Sequence, residues 1–237
     1  MHLVSHHDLG NLLGEFGWNK GRAKAVLWLW IFMLLPSLLF SLLIIGLPGL
    51  ILSIYFIYRS LTRLRATQPV VVLYQQGLVD SRKGTPEIIP YEGIKNIYLS
   101  VKVINGVFTY LISLEKNTGQ KINLDEHVAN IDDLRKLLED QIVKFQLPGA
   151  ISTYQQGSPI TFNLLQVTQA GLSMGKKMLP WSEFGTAEIQ RVSNTVYLTI
   201  RQKDSNKEWG RQPRGSFPNL ALFFEIVKYV QENQNHQ

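Results

Sequence analysis

Three groups of basic residues are the sequence's best candidates for chemistry. Arg82-Lys83 and Lys176-Lys177 are adjacent pairs. The segment 201–216, RQKDSNKEWGRQPRGS, carries Arg201, Lys203, Lys207, Arg211 and Arg214 against Asp204 and Glu208. Cations gathered in polar loops attract anions such as lipid head groups, acidic protein surfaces or nucleic acid. Trp209 lies within the third group, where its indole either enters a membrane interface beside the basic residues or packs on its own domain.

Little else offers reactive groups. The chain has no cysteine, which removes disulfides, thiol catalysis and Cys-based metal sites. His2, His6 and His7 lie near the N-terminus, His236 near the C-terminus, and His127 beside Asp125 and Glu126. None forms a nucleophile–base or metal-ligand set at a recognisable spacing, so no catalytic residue, metal or cofactor is expected. Gly14, Gly17 and Gly21 do not have the spacing of a phosphate-binding glycine loop.

The charge is unevenly placed. Residues 1–66 hold six Lys/Arg against Asp8 and Glu15, residues 67–150 nine basic against ten acidic groups, and residues 151–237 nine against six. The basic residues are dispersed and no nucleic-acid-binding motif accompanies them, so nucleic acid is not expected as a partner.

The elements that must position these groups divide sharply by composition. From Ala25 to Tyr58 there are 34 residues without one Asp, Glu, Lys or Arg. As a single rod they would reach roughly 50 Å, against a hydrocarbon core of ~30 Å. Gly46, Pro48 and Gly49 interrupt the run, so the expectation is a helical hairpin over 25–66, with its turn at 46–49. Whether it spans twice or dips and returns stays open. Lys20, Arg22 and Lys24 precede it and Arg59, Arg63 and Arg65 follow it, which places both ends on the cytoplasmic side. The run is too long and starts too late for a secretory signal peptide. Ser37 and Ser41 are available to repair the hydrogen bond lost at Pro36.

Beyond Thr67 the chain repeats itself. Gln75, Gly77 and Leu78 match Gln169, Gly171 and Leu172, while Ile89, Pro90, Tyr91 and Ile94 match Leu179, Pro180, Trp181 and Phe184. Arg82-Lys83 and Lys176-Lys177 then fall in equivalent hairpins. Alternating strands follow in each copy, with Asn105-Gly106 as a type I′ hairpin signal. A helix closes each: Ile131, Leu134, Leu138 and Ile142 share one face after Asn130 as N-cap, and Phe217, Leu220, Phe224 and Val227 form the second face with Pro218 in the first turn. QLPGA at 146–150 is expected to break the chain between copies. The expected organisation is an N-terminal segment 1–24, the hairpin 25–66 and two domains, 67–150 and 151–237.

Short antiparallel strands closed by one amphipathic helix resemble the pleckstrin-homology-like (PH-like) fold. The Gly-Leu and Pro-aromatic signatures look like those of bacterial PH-like domains attached to membrane hairpins. LGNLLGEFGW, residues 9–18, is similar to the opening of an uncharacterised bacterial membrane family with this layout. The resemblance implies an α+β protein, a transmembrane helical hairpin followed by tandem PH-like domains, in a bacterial plasma membrane. It supplies no activity. The usual Lys/Arg pattern of inositol-lipid-binding PH domains is absent, and YQQG stands in its place. The expected function is a membrane-anchored scaffold that engages anionic lipid head groups or a protein partner. The alternative is a self-associating structural protein, and an enzyme is not expected.

Overall fold

A computed structural model describes residues 9–41, 46–104, 107–193, 195–205 and 207–234. The fold is mixed α+β, with four antiparallel sheets and four α-helices among the described residues. The chain begins with β1 (Leu12–Phe16), α1 (Lys20–Ser41) and α2 (Leu47–Arg65). It continues through β2 (Val71–Tyr74), β3 (Gly77–Asp80), β4 (Glu87–Pro90), β5 (Ile94–Ile104), β6 (Val107–Lys116), β7 (Lys121–Asp125) and α3 (Ile131–Gln155). A second unit follows: β8 (Ile160–Phe162), β9 (Leu165–Thr168), β10 (Gly171–Met174), β11 (Lys177–Pro180), β12 (Phe184–Val192), β13 (Thr195–Gln202), β14 (Glu208–Pro213) and α4 (Leu220–Gln234). In each unit a four-stranded meander (β1–β4, β8–β11) is followed by a three-stranded one (β5–β7, β12–β14) and then a helix.

The matched sequence positions coincide in register. Gly77 pairs with Pro90 and Leu78 with Ile89, as Gly171 pairs with Pro180 and Leu172 with Leu179. A Cβ on Gly77 would lie 2.6 Å from the Ile89 carbonyl oxygen, and one on Gly171 2.1 Å from that of Leu179, so both positions require glycine. Tyr91 replaces the second unit's Trp181 without losing its bond. Its hydroxyl donates to the Tyr74 carbonyl at 3.0 Å, where the Trp181 indole N–H donates to the Thr168 carbonyl at 2.9 Å.

The N-terminal segment differs from expectation. Residues 12–16 form an edge strand of the first sheet, with Phe16 opposite Val71 and buried in the first core. Phe162 opposite Leu165 is the counterpart in the second unit. There the strands are joined by the two residues Asn163-Leu164; in the first unit, α1 and α2 occupy that junction. Residues 1–24 were expected only as an N-terminal segment with glycines at turns, because a pairing across more than fifty residues leaves no local signal.

α1 and α2 pack antiparallel. The Gly46 N–H donates to the Phe40 carbonyl at 3.0 Å, and a Cβ on Gly49 would meet Ser37 Oγ at 2.9 Å. Farther along, Trp30 stacks on Phe56 at 4.5 Å. α1 is the one described helix long and apolar enough to cross a membrane, with mean hydropathy 1.9 and only 6% of that window buried. α2 does not meet that standard, because Arg59, Arg63 and Arg65 fill its last turns. Pro48 and Gly49, expected in the turn, belong instead to the first turn of α2, where proline's missing N–H costs nothing. α1 begins at Lys20 rather than Ala25, and residues 42–45 lie outside the described residues. Ser37 Oγ donates to the Met33 carbonyl and Ser41 Oγ to that of Leu38, so neither reaches the Phe32 carbonyl that Pro36 leaves free.

α3 corrects the expected break at 146–150. Pro148 lies inside this 25-residue helix, which at 1.5 Å per residue is roughly 37 Å long. Leu134, Leu138 and Ile142 fill the first core, while Leu147, Ala150, Ile151 and Tyr154 pack on the second. Burial of that C-terminal half outweighs the hydrogen bond lost at proline. Asn130 is left-handed (φ 51°) and makes no side-chain cap bond; its carbonyl receives the Leu134 N–H instead. Pro218 lies before α4 rather than in its first turn, bridged to Tyr98. In α4 the fully buried positions include Phe223 and Ile226, with Phe224 only partly covered. The Asn105-Gly106 turn lies outside the described residues, although Ile104 and Val107 pair on either side of it.

Asn219 joins the units. Its side-chain oxygen accepts the Ile97 N–H at 2.8 Å, its backbone N–H donates to the Ile97 carbonyl at 2.8 Å, and Nδ2 donates to the Lys95 carbonyl at 3.1 Å. Asn219→Gly keeps the left-handed backbone (φ 50°) but loses the side-chain bonds. It is expected to cost about 2 kcal/mol, read as a lower thermal unfolding midpoint in detergent.

Candidate functional site at the helix–sheet junction

The start of α1 is fastened to the loop after β7. Trp18 bridges to Val128, the Ala129 N–H donates to the Gly17 carbonyl at 2.8 Å, and the Asn19 N–H donates to the His127 carbonyl at 2.7 Å. Asn19 Oδ1 also accepts the Arg22 N–H at 3.0 Å, capping the helix, and Arg22 pairs with Glu126. Beside this fastening lies a cleft of about 620 Å³. Val26, Trp30 and Phe56 of the two helices form an apolar wall. Arg59 and Arg63 from α2, Arg82 and Lys83 from the β3–β4 turn, and Lys121 from β7 supply positive charge. Asp125 and His127 close the far side.

Arg82 is committed elsewhere. It grips Asp80, which is 3% exposed, through Nε at 2.9 Å and Nη2 at 2.7 Å, and Nη1 donates to the Asn123 carbonyl at 2.6 Å. Burial of Asp80 would raise its pKa, but the Arg82 bonds prevail and hold the carboxyl below the usual range. Asp125 behaves alike: burial is outweighed by its bonds to His127, one from Nδ1 at 3.0 Å and one from the backbone N–H at 3.1 Å.

The remaining cations line the cleft without a salt bridge among the described residues, although Asp125 acts on Arg63 and Glu115 on Lys121. Arg63 lies 4.5 Å from the Trp18 ring centroid, Lys121 lies 5.2 Å from that of Tyr98, Arg59 reaches the Tyr55 hydroxyl at 3.4 Å, and Lys83 is exposed. With Asp125 the one carboxylate lining it among the described residues, the cleft carries a net positive charge suited to an anion.

Of the three basic groups singled out in the sequence, the Arg82-Lys83 pair lines this cleft, together with His127, Asp125 and the hairpin-flanking Arg59 and Arg63. Lys176 and Lys177 stand exposed at the equivalent β10–β11 turn, away from any helix pair. Arg201 donates to Glu188 at 2.7 Å, and Arg211 pairs with Glu208 while lying 5.3 Å from the Tyr197 ring centroid. Lys203 and Lys207 are exposed. Trp209 is partly buried against the second core. Arg214 is half-buried, its Nε has no hydrogen-bond partner among the described residues, and burial pushes its guanidinium below its usual range. The segment 201–216 is therefore not one basic patch. Sequence reading missed Lys121, which carried no signal, and the joint role of Arg59 and Arg63. Their i, i+4 spacing does put those two on one helix face.

Comparison with known proteins adds one identification. A family described as a family of unknown function, DUF6585, matches residues 2–236. The chain belongs to this family. No curated protein matches the chain significantly. The family assignment agrees with the expectation of an uncharacterised family covering nearly the whole chain, and it brings no activity to the cleft.

Two outcomes follow from the Asp80–Arg82 pair. Arg82→Ala strands a buried carboxylate and is expected to destabilise the protein by about 3 kcal/mol, measured by chemical denaturation. Asp80 and Asp125 have folded-state values below their unfolded ones. Their stabilisation is therefore full above the unfolded carboxylate range near pH ~4 and is lost as pH falls through the depressed values. Asp80→Asn should flatten the acid limb of a stability–pH profile.

Proposed function

We propose that this protein is a membrane-anchored binding scaffold in which α1 and α2 form the anchor and two PH-like units form a cytoplasmic-facing body. The observation that carries this reading is the place of the helices. They enter and leave between two paired strands, β1 and β2, through short connections, residues 17–19 before α1 and 66–70 after α2. Large side chains point outward along the pair, including Phe32 at 70% and Leu39 at 69% exposure, a surface that water would not tolerate uncovered.

Lys20, Arg22 and Lys24 at the start of α1 lie at the same end as Arg59, Arg63 and Arg65 of α2. This fits head groups on the cytoplasmic side, with the opposite end carrying no charge. The fixed mounting raises the effective concentration of both units at the bilayer, so weak contacts suffice for a lasting association. The exposed Lys176, Lys177, Lys203 and Lys207 can then meet anionic lipid or an acidic partner.

The absence of cysteine permits a clean topology test. Single cysteines at Gln120 and Lys176 should resist an impermeant maleimide in intact cells and react once the cells are opened. Labelling of either from outside overturns the orientation.

A further inference from the structure

We propose that the cleft between α1, α2 and the first unit is a binding site for one anionic phospholipid molecule. The phosphate would sit among Arg59, Arg63, Lys83 and Lys121, and an acyl chain would lie along Val26, Trp30 and Phe56. This rests on the membrane reading above and narrows it from a charged surface to a single lipid site.

The composition of the walls argues for a lipid over a soluble anion. One wall is the apolar flank of the helix pair and the other is the polar edge of β7 and the β3–β4 turn, so the cleft is amphipathic along its length. A free phosphate or nucleotide would leave the Trp30–Phe56 flank unused. A neutral lipid would leave the positive charge of the lining only partly offset, by Asp125 near Arg63 and Glu115 near Lys121. A phospholipid satisfies both halves, and about 620 Å³ is within the range of small-molecule sites.

The cations are also held in place from behind. Trp18 lies under Arg63, and Trp18 is itself tied to Val128. The Tyr98 ring lies under Lys121, and the Arg82 clamp on Asp80 and Asn123 fixes the turn that carries Lys83. Arg82 thus serves as a positioning residue rather than a contact. Arg59 and Arg63 are one turn apart on α2 and can approach phosphate oxygens from one side, with Lys121 opposite. Basic pockets beside membrane helices on the cytoplasmic side suit anionic head groups.

The test uses the full chain in nanodiscs of phosphatidylcholine with a minor fraction of phosphatidylglycerol. Native mass spectrometry after stripping should find one phosphatidylglycerol retained per chain and no phosphatidylcholine. Arg59→Gln/Lys121→Gln should reduce that retention roughly tenfold. Lys176→Gln/Lys177→Gln, equal in lost charge but remote from the cleft, should leave it unchanged. Circular dichroism checks folding, and should the first double variant misfold, Lys83→Gln at an exposed turn carries the same expectation. Equal retention of both lipids, equal loss in both double variants, or displacement by millimolar inorganic phosphate overturns the proposal. Release of the chain from membranes by an alkaline wash is a separate outcome, which sinks the anchoring reading itself.

Discussion

The antiparallel pairing of β1 with β2 is the contact on which the rest of the molecule depends. The Phe16 carbonyl accepts the Val70 N–H at 2.8 Å, and Phe16 then pairs with Val71, across the whole of α1 and α2. Closing so long an insertion into a strand junction costs little extra entropy, since the loop-closure term grows only with the logarithm of length. It costs less still when the insertion brings its own ends together, as two antiparallel helices do. Burying Phe16 contributes on the order of 2 kcal/mol towards keeping the junction shut. Opening it would leave the helices held to the body only by the contacts of residues 17–22 with the loop after β7.

The same economy governs the connection between the two units. One helix, α3, supplies side chains to both cores, and Asn219 from the second unit completes hydrogen bonds along β5 of the first. Backbone groups on an exposed strand edge must otherwise be satisfied by water. Here they are covered by a left-handed asparagine that presents both its side chain and its own N–H. The units are therefore joined through a shared helix and through the Asn219 hydrogen bonds.

Charge follows a similar logic. Basic residues on solvent-facing strands find carboxylates, as Arg201 finds Glu188 and Arg211 finds Glu208, and contribute little beyond solubility. At the helix–sheet junction the available carboxylates are taken by other partners: Asp80 by Arg82, Asp125 by His127, Glu126 by Arg22. What remains is a set of cations without salt bridges among the described residues, of which Arg63 and Lys121 lie over aromatic rings. The contrast between these two environments, more than the number of basic residues, distinguishes the cleft from the rest of the surface.

The sequence by itself determined the local features. The uncharged run, its interruption near Gly46, the apolar face of α3 and the matched Gly-Leu and Pro-aromatic pairs all depend on neighbouring residues and can be read from spacing. Tertiary structure decided where distant segments meet. Leu12–Phe16 is a strand because β2 lies beside it, Pro148 stays helical because a second core receives its turn, and Arg82 is a clamp because folding brings Asp80 and Asn123 to it. Arg59 and Lys121 are 62 positions apart and become one site only when the helices return to the sheet. Propensity and periodicity are properties of short windows, whereas these outcomes follow from burial and charge pairing between segments that no window contains.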